Sequence, residues 1–249
     1  MLEIKNLNKS FDGLKAVNDF SLSLQERKIT SLIGPNGAGK TTVFNIVTGF
    51  LHPNSGMVMF EGEEVTNFPS FKIARRGIAR TFQNLRLFKK MTVLENVLLS
   101  RQNQQGEKFL NALIAHSDSS SEHKRHLEKT EALIEFIGLT EHKDELADNL
   151  SYGQQKLLSI ACCLAMEPKL LMLDEPVAGV QPAMIEKIIT ILKELVEKEK
   201  KTILLIEHNI DVVLDISDTI VVMDEGKKIA EDKPSVIRNN PAILEAYLS

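Results

Sequence analysis

Gly34-Pro35-Asn36-Gly37-Ala38-Gly39-Lys40-Thr41 is the stretch that decides the fold of this 249-residue chain. Gly34 and Gly39 bracket a short loop, and Lys40 and Thr41 follow at once, which is the P-loop pattern. The spacing follows from chemistry. The β- and γ-phosphates of a nucleotide need several donors converging together, and glycines let backbone N–H groups turn inward with no Cβ in the way. A helix opening at Lys40 adds its positive end. The Lys40 ammonium can bridge two phosphates, and the Thr41 hydroxyl can ligate Mg²⁺. Gly34, Asn36, Gly37, Ala38, Gly39, Lys40, Thr41 and Thr42 are therefore the candidate nucleotide-binding set.

Outward from this loop, strand and helix patterns alternate. Ile29–Ile33, short and apolar, suits a central strand feeding the loop. Upstream, Phe20, Leu22 and Leu24 alternate with polar residues at the period of a half-buried strand. Downstream, Gly56–Phe60 reads as a strand and Glu61-Gly62-Glu63 as a turn. The last third repeats the alternation. Leu170–Leu173 is a buried strand, and Pro182 opens a helix with Ile185, Ile188, Ile189, Leu192 and Leu195 at helical intervals. Thr202–Ile206 is the next strand, Asn209–Ile216 a short helix, and Ile220–Met223 a strand ending at Asp224-Glu225-Gly226. Such alternation argues for a largely parallel sheet covered on both faces.

The middle of the chain differs. Thr92-Val93-Leu94-Glu95 is a capping box opening a helix with Val97, Leu98 and Leu99 on its apolar side. Gln102–Glu122 is polar, with Ser119-Ser120-Ser121 expected as an exposed loop. A helix with Leu127, Ile134 and Ile137 follows, ended by Gly138. Residues from about 83 to 167 read as a helical lobe inserted into one domain, whose core is 1–82 and 168–249.

A second pair of groups belongs with the phosphate loop. Leu170-Leu171-Met172-Leu173-Asp174-Glu175 is an apolar strand ending in two acids. In P-loop enzymes an acid at a neighbouring strand tip gives the metal a second protein contact, the role expected of Asp174. Glu175, one residue on, would address the water in line with the γ-phosphate, as general base or by orienting it.

Composition narrows the class further. With 43% hydrophobic and 26% charged residues the chain is that of an ordinary globular protein. A net charge of −4 and a pI of about 5.9 argue against broad nucleic-acid binding. Cys162 and Cys163 are adjacent in an apolar segment and read as buried thiols rather than a disulfide or a metal site. No apolar run is long enough to span a bilayer and no secretory signal is visible, so a cytosolic product is expected. One run is basic: Lys72, Arg75, Arg76, Arg80, Arg86, Lys89 and Lys90 carry no acid among them. It reads either as a solvated face or as a docking surface.

Taken in order, these segments resemble the ATP-binding subunit of ABC transporters over nearly the whole chain. Leu150-Ser151-Tyr152-Gly153-Gln154-Gln155 is similar to that family's signature. The resemblance implies that Phe11 stacks on adenine, that Gln83 senses Mg²⁺ and the attacking water, and that His208 is the switch histidine. It implies that Ser151, Gly153 and Gln154 cap a nucleotide held by the loop of a second subunit, same or paralogous, so that two ATP molecules join two chains. Catalysis would fall to Glu175, His208, Lys40 and Gln83, and Mg²⁺ to Thr41, Gln83 and Asp174. The implied fold class is α/β: a P-loop NTPase core with a mainly parallel sheet, an N-terminal antiparallel β part and an inserted helical subdomain. The implied place is the cytoplasmic face of a membrane, docked on permease subunits near Gln83–Phe88, with a solute-binding protein as an indirect partner.

Two departures refine the resemblance. Tyr152 stands where the signature commonly has glycine, and Gln181 where many relatives have Asp. With Arg80-Thr81-Phe82-Gln83-Asn84, Leu205-Ile206-Glu207-His208 and the closing Asn240–Leu248, they look like importers of branched-chain amino acids and related polar solutes. An exporter cassette, such as one for lipopolysaccharide, and a soluble ABC ATPase acting on DNA or ribosomes remain open. The single cassette and short lobe argue against the latter.

Overall fold

Residues 1–101 and 119–240 are described by the computed structural model of the protein. Two sheets form its framework. The first is antiparallel: β1 (Leu2–Phe11) pairs with β2 (Leu14–Ser23) on one side and β4 (Ser55–Phe60) on the other, and β5 (Glu63–Glu64) flanks β4. The β1–β2 hairpin turns on Asp12 and Gly13, at φ 45° and 90°. That is the backbone a two-residue hairpin loop requires.

The second sheet runs in the order β10 (Lys227–Asp232), β9 (Thr219–Asp224), β3 (Ile29–Ile33), β8 (Thr202–Ile206), β7 (Leu170–Asp174) and β6 (Ile78–Arg80). Neighbours are parallel except at the β9–β10 edge. Strands β3, β7 and β8 are buried along their whole length, as expected where both faces are covered. Alternate residues serve opposite cores. Leu32, Leu170, Met172, Leu204 and Ile206 pack with α1 (Lys40–Val47) and the antiparallel sheet. Ile29, Leu171, Leu173, Ile203 and Leu205 pack on the other face. Their partners there come from α5 (Tyr152–Ala165) and α6 (Pro182–Glu197). Each fully buried Leu or Ile contributes about 1.5–3 kcal/mol. The short helices α2 (Ser70–Arg75), α7 (Ile210–Ile216) and α8 (Pro234–Ile237) complete the core.

Between β6 and β7 the chain forms the helical lobe, in which α3 (Val93–Leu99) packs on both α4 (Ser119–Phe136) and α5. The Thr92 capping box is present: the Glu95 N–H donates to Thr92 Oγ1 at 3.1 Å, and the Thr92 N–H donates to Glu95 Oε2 at 2.8 Å. Of the expected apolar side, Val97 is buried and Leu98 half-buried, but Leu99 is not. Val93, Asn96 and Val97 are buried, whereas Leu99 is exposed. The serine run Ser119–Ser121 is not a loop, because α4 begins at Ser119. Serine favours turns and helix starts for the same hydrogen-bonding reason, so the sequence alone reads either way. Gly138, at φ 66°, follows the end of α4 as expected. The rest of the polar stretch, 102–118, and the closing segment beyond Asn240 lie outside the described residues.

Asn96 stitches the lobe together. It is 1% exposed; its Oδ1 accepts the Phe88 N–H, and its Nδ2 donates to the carbonyls of Phe88, Met91 and Thr92. Replacing it leaves several buried backbone groups unpaired, each at about 1–3 kcal/mol. Asn96→Ala is therefore expected to lower stability in urea unfolding by about 2–4 kcal/mol.

Candidate active site

Strand β3 delivers the chain to Gly34 and the loop returns into α1 at Lys40. The two bracketing glycines are required by close approach. At Gly34 (φ 149°) a Cβ would lie 1.9 Å from the Met223 carbonyl oxygen, and at Gly39 (φ 99°) 2.1 Å from that of Ala16. The Lys40 side chain folds back over its own loop, its Nζ donating to the carbonyls of Gly34 at 2.7 Å and Pro35 at 2.8 Å. Burial lowers the Lys40 pKa, and the charges of Glu175 and Asp174 oppose that shift. Asn36 and Gly37 are exposed at the loop tip, Ala38 is buried beneath it, and Thr41 faces solvent with Thr42 half-buried beside it.

The acids arrive by register. Leu32 of β3 and Asp174 of β7 both pair with Ile206 of β8, so the carboxyl ends of these strands end level beside the loop. Ligands of open α/β sheets bind at such strand ends. Asp174 is buried, and its Oδ2 accepts from Arg80 at 2.7 Å, both side chains being 5% exposed. Arg80 also donates to Asn45 Oδ1 at 2.6 Å and Thr48 Oγ1 at 3.3 Å, tying β6 and β7 to α1. Its guanidinium lies 5.4 Å and 5.1 Å from the Phe44 and Phe82 ring centres. Burial pulls the Arg80 pKa down while Asp174 pushes it up; an arginine so placed stays charged.

Glu175 adopts φ 51°, a left-handed backbone that costs a non-glycine residue about 1–2 kcal/mol. Its N–H donates to the Ile206 carbonyl at 2.9 Å. This turn points the carboxylate between two partners. Gln83 Nε2 donates to Oε2 at 3.1 Å, and His208 Nε2 lies 3.0 Å from Oε1. A carboxylate only accepts, so in this pairing Nε2 carries the proton.

The donor set fits Mg²⁺. Thr41 offers a hydroxyl, Asp174 keeps Oδ1 clear of Arg80, and Gln83 has its amide oxygen available while its nitrogen is held by Glu175. These are hard oxygen ligands of the kind Mg²⁺ takes beside substrate phosphates and water. Among the described residues no cluster of three His, Cys, Asp or Glu side chains makes a dedicated cage, and a phosphate-bridged ion needs none.

The signature segment opens α5. Ser151 is its N-cap, accepting the Gln154 N–H at 3.4 Å, and the Gln154 side chain returns to the Ser151 N–H at 2.8 Å. Gln154 also contacts His142 at 2.8 Å, so its amide is already engaged within the chain. Gly153 is held to glycine by α6: a Cβ would meet Met184 Cγ at 2.8 Å. Tyr152 is 47% exposed. Phe11 ends β1 at 42% exposure with the Lys9 ammonium 5.1 Å from its ring centre, an open platform rather than a core residue. Gln181 is the exposed N-cap of α6 and makes no side-chain cap.

The basic run is not one solvated face. Arg80 is internal, Arg76 pairs with Glu63, Lys89 pairs with Asp148 at 3.2 Å, and Arg86 stacks 3.8 Å from the Phe82 ring centre. Three further residues behind the site escaped sequence reasoning. Thr81 Oγ1 accepts the Asp174 N–H at 3.1 Å. Lys156 Nζ donates to the Glu175 carbonyl at 2.7 Å, and the buried Glu207 accepts backbone N–H groups on both sides of the site. The one signal for Glu207 was an acid directly beyond an apolar strand and beside His208.

Comparison with known proteins bears on this geometry. The family model "ABC transporter" matches residues 17–178. The branched-chain amino acid transport ATP-binding protein BraF of Pseudomonas aeruginosa is 42% identical over 248 residues, covering 100% of this chain and 97% of its own. A nucleotide-free ATP-binding cassette from an ABC transporter superposes with a TM-score of 0.86 at 38% identity, covering 100% of this chain and 99% of that one. A dimeric cassette in a post-hydrolysis state, bound to ADP and Pi, matches with a TM-score of 0.78 at 27% identity, covering 94% of this chain and 99% of that one. The chain belongs to the ABC transporter family. Within that family it is an ATP-binding subunit, homologous along its length to those of branched-chain amino acid transport.

Arg80 and Asp174 form a buried pair, and removing one partner strands the other charge at a cost of about 3–5 kcal/mol. Arg80→Met is expected to lower the unfolding free energy by about that amount, read from chemical denaturation. A change within experimental error would mean the pair is not holding β6, β7 and α1 together.

Proposed function

We propose that this chain binds and hydrolyses ATP as half of a dimer and couples dimer closure to solute uptake through membrane permease subunits. The observation that carries the reading is the Glu175 carboxylate held between Gln83 and His208, at 3.1 Å and 3.0 Å, beside the loop of Lys40. Gly34, Asn36, Gly37, Ala38, Gly39, Lys40, Thr41 and Thr42 cradle the phosphates, and Phe11 stacks on adenine. When ATP enters, Lys40 exchanges its two loop carbonyls for phosphate oxygens. Thr41, Asp174 and Gln83 would hold Mg²⁺, which when bound would supply positive charge against the charge developing on the phosphate. Glu175 takes a proton from the attacking water as general base or orients that water, a role worth about 10²–10⁴ in rate. His208, released from Glu175, turns its Nε2–H to the γ-phosphate and stabilises charge as it develops.

Ser151, Gly153 and Gln154 of the partner chain complete each site, presenting the α5 N-terminus to the γ-phosphate. Such contacts exist only in the closed pair, which is why nucleotide favours closure. The dimeric relative with ADP and Pi supports this assembly, and BraF supports branched-chain amino acids or a related polar solute as cargo. No helix among the described residues is long and apolar enough to cross a membrane. The kinship with BraF, a transport ATP-binding protein, supports placing the chain on the cytoplasmic face, held by the permease. A solute-binding protein would deliver the cargo.

The docking face is supported by exposed aromatic side chains. Phe50, Phe71 and Phe88 are 46%, 57% and 57% exposed. The Phe50 and Phe82 rings meet edge to face at 5.4 Å, with Arg86 over both. Exposed apolar groups rimmed by charge mark interaction surfaces.

Two outcomes test these readings. Glu175→Gln is expected to bind ATP, lose about 10²-fold or more in turnover, and accumulate as an ATP-bound dimer in size-exclusion chromatography; normal turnover removes Glu175 from the chemistry. Phe88→Asp is expected to leave ATP binding intact and abolish transport in reconstituted vesicles; unchanged transport would move the docking site elsewhere.

A further inference from the structure

Two buried opposite charges stand behind the site, and neither faces the bound nucleotide's place in the reading above. Lys156, on α5, is 4% exposed, and Glu207, at the end of β8, is 2% exposed. Both hydrogen-bond to backbone groups. Lys156 Nζ donates to the Glu175 carbonyl at 2.7 Å. Glu207 Oε1 accepts the Val177 N–H at 2.9 Å, while Oε2 accepts the N–H groups of His208 at 3.0 Å and Asn209 at 3.4 Å.

Apolar side chains would fill this space at less desolvation cost, since buried charges are expensive unless paired and hydrogen-bonded. What the charges add is direction. An ammonium group fixes where a carbonyl points, and a carboxylate beneath three amides fixes two loops against each other. The residues so fixed are the ones under strain or in use. Glu175 needs its left-handed turn to aim its carboxylate. Val177 follows it, and His208 supplies the opposing Nε2. Burial raises the Glu207 pKa and lowers that of Lys156, and each charge is partly offset by its surroundings: the amides of Val177, His208 and Asn209 for Glu207, and the acids Glu207, Glu175 and Asp174 for Lys156.

We propose that Lys156 and Glu207 are positioning residues for hydrolysis: Lys156 holds the backbone turn of Glu175, and Glu207 clamps the Glu175–Val177 loop to the amide of His208. The inference rests on the reading of Glu175 and His208 as the hydrolytic pair. It assigns to the two charges no contact with ATP, so their loss acts on kcat and not on nucleotide binding.

The test uses the full chain, steady-state ATPase assays and equilibrium binding of a fluorescent ATP analogue. Lys156→Met is expected to lower kcat about tenfold or more, as small misplacements of reacting groups do, with KM and analogue affinity unchanged. Lys156→Arg is expected to recover most of the rate, because a guanidinium N–H can reach the same carbonyl. Glu207→Gln, near-isosteric, is expected to lose kcat with affinity retained. Wild-type kcat in Lys156→Met, equal losses in the Arg and Met variants, or a loss shared by analogue binding overturns the proposal. If Lys156→Met does not fold, Glu207→Gln decides: reduced kcat at unchanged affinity supports the clamp, and unchanged kcat overturns it. Glu175→Gln runs alongside. Normal turnover there defeats the underlying reading, whereas a stalled Glu175→Gln beside a normal Lys156→Met defeats this inference alone.

Discussion

The parallel pairing of β3, β8 and β7 is the constraint from which the site follows. Because Leu32 and Asp174 share Ile206 as register partner, three chain segments leave the sheet at one level. The phosphate loop follows β3, the acids end β7, and His208 lies just past β8. A slip of one residue would turn each strand's apolar set to the opposite face. Both faces are packed, with Leu171 and Leu173 in one core and Leu170 and Met172 in the other, so the register is held by burial on both sides. Hydrophobic packing thus sets the positions of polar groups that contribute nothing to it.

Behind this level edge lies a layer of buried charge. Arg80 joins Asp174 to Asn45 and Thr48, Lys156 reaches the Glu175 carbonyl, and Glu207 spans Val177 and His208. Such groups are poor devices for stability alone. Their benefit is orientation: donors and acceptors set in advance need not reorganise when charge develops on a transferring phosphate. Lys40 shows the same economy, because its ammonium already rests against the loop carbonyls that phosphate oxygens would replace.

The strands and the phosphate loop were legible in sequence because their determinants are local. Glycine spacing, an apolar run ending in Asp174 and Glu175, and the Thr92 capping box each lie within a few residues. What escaped depends on neighbours distant in sequence. Arg80 looked like one member of a basic run, since nothing local says that β6 lies against β7 with Asp174 at its tip. Nothing local to Lys156 or Glu207 names its partner, because the Glu175 carbonyl and the Val177 N–H lie 19 and 30 residues away. The apolar run after the capping box places Leu99 with Val97 and Leu98 on the buried side, while the observed stripe of Val93, Asn96 and Val97 includes a polar residue whose partners are in the preceding loop. The serine run at the start of α4 shows that turn formers and helix starters are the same residues.

In the proposed dimer one chain holds ATP and a second chain completes the site. Cross-linking two separately tagged variants tests it, one with Asn36→Cys and the other with Ser151→Cys, each also carrying Glu175→Gln. The native thiols interfere little, because Cys163 is buried and burial pushes the Cys162 thiol up to about 11, so both stay protonated at neutral pH. With a short bismaleimide a covalent product containing both tags is expected when ATP and Mg²⁺ are present, and none without nucleotide. A product that forms equally without ATP, or no product at all, would contradict the claim that nucleotide is enclosed between the loop of one chain and the α5 N-terminus of the other.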